Sequence, residues 1–81
     1  MITSEQVRAA RMLLRWEQKH LAEASKVSLP SIKRLEAQPG PLAAQARTID
    51  AIRSAIEAAG VMFQGDGEMT HGGAGVRLRK D

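Results

Sequence analysis

At 81 residues the chain holds one domain at most, near the size at which a single apolar core is only marginally stabilising, and a large enzyme is excluded. Its 43% hydrophobic and 26% charged residues lie outside the compositional range of disorder; with one Trp, one Phe and no Tyr, the core must be aliphatic and mostly helical. The absence of cysteine excludes a disulfide framework, thiol catalysis and thiolate metal sites, and the net charge of +3 favours a polyanionic partner.

The charge is unevenly spread. Through residue 37 seven cations meet four carboxylates, whereas the remainder balances five against five. Apolar runs are broken every few residues, short of the roughly 20 needed to span a bilayer, and no basic-then-apolar leader opens the sequence. A soluble cytoplasmic protein with no membrane partner is expected.

Thr3 and Gln6 have the spacing of a capping box, so a first helix is predicted from near Ser4 to about Leu14. Val7, Ala10, Leu13 and Leu14 form its apolar stripe, with Arg8, Arg11 and Arg15 between them. Trp16 marks the break and serves as a core anchor. A second short helix runs from Gln18 to Ala24, its start weakly capped by Glu17, and a turn of Ser25, Lys26, Val27 and Ser28 follows. Ser28 is a natural N-cap and Pro30 suits a first helical turn, giving a third helix from Leu29 to about Ala37. Its inward residues are Ile32 and Leu35; Leu29, Pro30, Lys33 and Arg34 are left outward.

The segment Gln38, Pro39, Gly40, Pro41 stops that helix. A fourth is predicted from Thr48, with Ile49, Ile52, Ile56 and Ala59 on one stripe and Gly60 at its C-terminus, and Leu42 to Ala46 could add a turn before it. After Gly60 the period changes to two. Val61 and Phe63, then Val76 and Leu78, alternate with polar or longer side chains and predict two short strands around a glycine-rich loop. The domain organisation expected is a helical unit over residues 1–60 and a strand pair over 61–81 that serves for dimerisation.

Two short helices joined by a tight turn, the second bearing outward basic groups, is an arrangement suited to entering the major groove of DNA. The stretch ARMLLRWEQKHLAEASKVSLPSIKRLE, from Ala10 to Glu36, resembles the helix-turn-helix of the Cro/C1 repressor type, the XRE family, over roughly residues 3–60. The resemblance implies a mainly α, four-to-five-helix DNA-binding domain with a short C-terminal two-stranded β element. It also implies a transcriptional regulator, more often a repressor, acting as a homodimer on a pseudo-palindromic site in double-stranded DNA.

Carried over residue by residue, the resemblance makes Gln18, Ser28, Leu29, Pro30, Lys33 and Arg34 the DNA contacts and Ala22, Val27, Ile32 and Leu35 the residues that fix the helix pair. Arg11 and Glu36 form its structural ion pair. Arg34 can take both acceptors of a guanine, while Leu29 and Pro30 offer only apolar surface to thymine methyls or groove shape. The chain departs from the family pattern at Lys26, which stands where the turn usually has Gly, and at Arg15 and Glu17 in the first interhelix junction. His20 and His71 have no neighbouring ligand set, so no metal or other cofactor is expected, and no nucleophile and base are arranged for catalysis. The competing function is a protein-interaction module, such as an antitoxin or anti-regulator, that uses Leu29, Pro30 and the strand edges against another protein.

Overall fold

The computed structural model describes residues 1–64 and 75–79. In chain order it contains α1 (Ser4–Leu14), α2 (Gln18–Ser25), α3 (Leu29–Ala37), α4 (Ala46–Ala58), β1 (Val61–Gln64) and β2 (Gly75–Leu78), a mainly α fold. The predicted glycine-rich loop, with His71, lies outside the described residues.

Helix α1 starts as its sequence demands: Gln6 N–H donates to Thr3 Oγ1 at 3.1 Å and Thr3 N–H donates to Gln6 Oε1 at 2.9 Å, so two otherwise orphaned amides are satisfied. It ends where Arg15 turns to φ 57 and the Trp16 N–H donates back to the Arg11 carbonyl at 2.8 Å, a Schellman closure without glycine. Helix α2 runs one residue further than predicted, because Ser25 stays helical and sends its hydroxyl to the Leu21 carbonyl at 2.7 Å. Lys26 at φ 63 then reverses the chain, and Ser28 Oγ accepts from Ser31 N–H at 3.3 Å to open α3 with Pro30 in its first turn.

Three expectations need correction. Helix α4 begins at Ala46, two residues before Thr48, and its N-cap Gln45 makes no side-chain cap. Residues 42–45 form no helical turn, so the described helices number four. Leu13, assigned to the apolar stripe of α1, is 41% exposed although Gln6, two turns earlier on the same side of the helix, is buried, so the packing of the other elements stops short of it.

The core takes Val7 and Ala10 from α1, Leu21 from α2, Ile32 and Leu35 from α3, Ile52 and Ile56 from α4 and Val61 from β1, with Trp16, Ala22 and Val27 packed against it. Each large aliphatic side chain buried there contributes about 1.5–3 kcal/mol. The strands pair antiparallel within the chain, Val61 opposite Leu78 and Phe63 opposite Val76, and the ladder is extended by Arg79 N–H to Gly60 O at 2.7 Å. Gly60, at φ 106, turns the chain from α4 into β1. The hairpin packs on α1 and α4 rather than standing alone, as a two-stranded ribbon must to persist in water.

Two anchors were not foreseen. Gln6 is buried, and its Nε2 donates to Gln64 O at 2.9 Å and Gly75 O at 3.0 Å, tying the end of the strand pair that adjoins residues 65–74 to the start of α1. The α3–α4 loop is held to the N-terminus by Ser4 N–H to Gly40 O at 2.9 Å and Leu42 N–H to Ile2 O at 3.1 Å, with Ile2 and Leu42 both buried. Neither contact has a local sequence signature, since each joins segments more than thirty residues apart.

Candidate nucleic-acid interface

Helix α3 divides its side chains cleanly. Ile32 and Leu35 are buried against α2 and the rest of the core, which turns Pro30, Lys33 and Arg34 outward on one face, one turn apart. Leu29 is half-buried and Ser28 exposed. Among the described residues neither Lys33 nor Arg34 lies in an ion pair, whereas Arg8, Arg11, Lys19 and Arg53 all do.

An open cleft runs along each side of α3. One, of about 240 Å³, is lined by Glu17, Gln18, Lys19, Leu29 and Lys33, so the start of α2 and the start of α3 share it. The other, of about 700 Å³, is lined by Val27, Ser31 and Arg34 and across from them by Leu42, Gln45 and Thr48. The exposed face of α3 is therefore a basic ridge with a trough on either flank.

The orientation of that ridge rests on Glu36, whose side chain is 3% exposed. Arg11 Nε donates to its Oε2 at 2.7 Å and Arg11 Nη2 to its Oε1 at 2.6 Å, a bidentate pair, while Arg11 Nη1 reaches the Trp16 carbonyl at 3.0 Å. Arg8 donates to the Glu36 carbonyl, and Gln18 Nε2 donates to Glu36 Oε1 at 3.2 Å. One carboxylate thus joins α1, the start of α2 and the end of α3. A buried charge removed from its partner is penalised by about 3–5 kcal/mol, so this pairing resists any rotation that would separate the helices.

The ion pair expected between Arg11 and Glu36 is present, and Ile32, Leu35, Val27 and Ala22 occupy the packing positions assigned to them. Gln18 is placed differently from a free polar reader, because one of its amide hydrogens is committed to Glu36. Sequence reasoning also missed His20, whose Nδ1 accepts the Glu17 N–H at 2.9 Å and so supplies the start of α2 with a reciprocal cap. A His three residues after the cap has the right offset for this bond. Among the described residues no three His, Asp or Glu side chains gather as a metal site, and no helix is long and apolar enough to cross a membrane.

No protein-family model matches the chain, and no curated protein matches it.

Proposed function

We propose that the chain is a sequence-specific DNA-binding regulator of the Cro/C1 type, acting as a homodimer in the cytoplasm and setting α3 into the major groove of a pseudo-palindromic site. The observation that carries this reading is the ridge of Pro30, Lys33 and Arg34, whose two cations are free of carboxylate partners among the described residues and whose flanks are open. A ridge inserted into the groove brings the bordering phosphate strands over its flanks, where Gln18 and Lys19 stand on one side and Gln45 and Thr48 on the other.

In this reading Arg34 takes the O6 and N7 acceptors of a guanine, Lys33 adds a second cation in the groove, and Pro30 with Leu29 presents apolar surface to the neighbouring base edges. Ser28 contacts the backbone at the start of α3, and Gln18, oriented by Glu36, positions α2 on phosphate with its remaining amide hydrogen. Half-sites about one helical turn apart satisfy two copies at once. Occupancy of such a site competes with other proteins for the same duplex, which is how a repressor with no catalytic site acts.

Selection of duplexes from a random library, followed by titration of single-base variants at two salt concentrations, tests this. The expected result is a symmetric site, with Arg34→Ala costing about 1–3 kcal/mol per half-site and relaxing preference at one symmetric position, and Gln18→Ala weakening all variants evenly. Binding without any enriched symmetric sequence would overturn the reading in favour of a protein-interaction module.

A further inference from the structure

Ser28 and Ser31 open α3 with two bonds between them: Ser28 Oγ accepts the Ser31 N–H at 3.3 Å and donates to Ser31 Oγ at 2.9 Å. A serine hydroxyl has one hydrogen to give. That of Ser28 is therefore committed within the helix start, and among the described residues the hydroxyl hydrogen of Ser31 has no acceptor. Ser31 was not among the DNA contacts expected from the sequence, and the direction of this bond is what singles it out.

Ser31 lines the cleft of about 700 Å³ together with Arg34, one turn further along α3, and faces Gln45 and Thr48 across it. Among the described residues none that lines this cleft is acidic, whereas Glu17 lines the cleft on the opposite flank. The wall formed by α3 thus offers a neutral donor beside an unpaired cation and no carboxylate, surroundings that suit an oxygen carrying negative charge. Reach separates the two side chains. Ser31 is short and half-buried, so its hydroxyl meets only what lies against the flank of the ridge, while the exposed Arg34 extends beyond it. Beside a helix set into the major groove, what lies against that flank is the phosphate strand bordering the groove.

We propose that Ser31 Oγ donates a hydrogen bond to a non-bridging oxygen of one backbone phosphate in each half-site, and so fixes the depth at which Arg34 meets the bases. The inference rests on the DNA-binding reading above and deepens it by naming a contact. Ser28, whose hydroxyl hydrogen is held by Ser31, is left its backbone N–H for phosphate. Ser31 is neutral and binds a group common to every nucleotide, so it adds affinity without choosing a base and without releasing a counterion.

The test takes the full chain and the duplex enriched by the selection described above. Each backbone phosphate in turn is replaced by an uncharged methylphosphonate, and the wild type, Ser31→Ala and Ser31→Thr, each checked for folding by circular dichroism, are titrated against this set and against the single-base variants. Ser31→Ala is expected to bind every base variant about three- to tenfold more weakly per half-site, with the wild-type ranking and salt dependence retained. Ser31→Thr, which keeps the hydroxyl, is expected to stay within about twofold of the wild type. At one phosphate per half-site the methylphosphonate should weaken the wild type and Ser31→Thr but weaken Ser31→Ala markedly less, the signature of a direct pair. Wild-type affinity in Ser31→Ala, a changed order among the base variants, or an undiminished penalty at every methylphosphonate would overturn the contact and leave the DNA-binding reading standing. A selection that enriches no symmetric duplex would overturn both.

Discussion

Lys26 adopts φ 63 and ψ 20 between α2 and α3, a left-handed conformation in which a Cβ crowds the carbonyl that follows. Glycine removes that crowding and loses part of the gain through its larger unfolded-state entropy, so Lys26→Gly is expected to stabilise the fold by about 0.5–1 kcal/mol. A chemical-denaturation midpoint that falls would contradict this. The strain was legible only through the resemblance, in which Lys26 stands where the turn usually has Gly. Arg11 and Glu36 were legible only through resemblance. Nothing local connects positions twenty-five apart, and it is the crossing of α1 over α3 that brings the guanidinium to 2.6 Å from the carboxylate.

At the scale of elements, the two helix starts whose N-cap side chain accepts a backbone N–H fell where the sequence put them, and the start of α4 did not. Thr3 and Ser28 mark the starts of α1 and α3, whereas Gln45 offers α4 no side-chain cap and its start was placed two residues late. The α3–α4 loop ahead of it is secured from outside: both carboxylate oxygens of Glu5 accept the Gly40 N–H, at 3.1 and 3.2 Å. The Glu5 carboxyl is held below the usual carboxylate range, first by its own backbone N–H, then by that of Gly40, with the Arg8 guanidinium adding attraction. A carboxyl more acidic in the folded than in the unfolded chain contributes stability that is complete above the unfolded titration range and is lost as pH falls through the folded one. Thermal melts from about pH 6 down to about pH 3 are expected to fall more steeply for the wild type than for Glu5→Gln, whose amide has no such titration. Parallel curves would show that Glu5 does not hold the loop through its charge.

For the whole molecule, the hairpin is part of the core rather than an appendage. Val61 is buried beside Ile56, Gln6 is bonded to both strands, and Arg79 closes the ladder onto Gly60. A chain ending at Gly60 should therefore lose stability before it loses any partner: Val61 and Phe63 are withdrawn from the apolar surfaces of α1 and α4, and the Gln6 amide loses both carbonyl acceptors. Calorimetry is expected to show a transition well below that of the full chain, or none. An unchanged melting temperature would make the hairpin dispensable to the helices. Truncation is accordingly a poor probe of dimerisation here, because it removes core contacts as well.

What the sequence determined by itself is what depends on neighbours within a few positions. The four helices, the inward set of Ile32 and Leu35, and the outward set of Pro30, Lys33 and Arg34 all follow from caps, breakers and the 3.6-residue period, whereas the left-handed turn at Lys26 is legible only through resemblance. The alternation around Val61 and Val76 likewise marked two strands. The tertiary structure alone decided which of these surfaces stay exposed and which distant groups meet. Leu13 is apolar and at helical spacing, yet the hairpin covers only part of its side of α1; Gln6 reads as a cap and is also the anchor of both strands. Periodicity specifies a direction around a helix axis, and only the packing of the other elements determines whether anything lies in that direction.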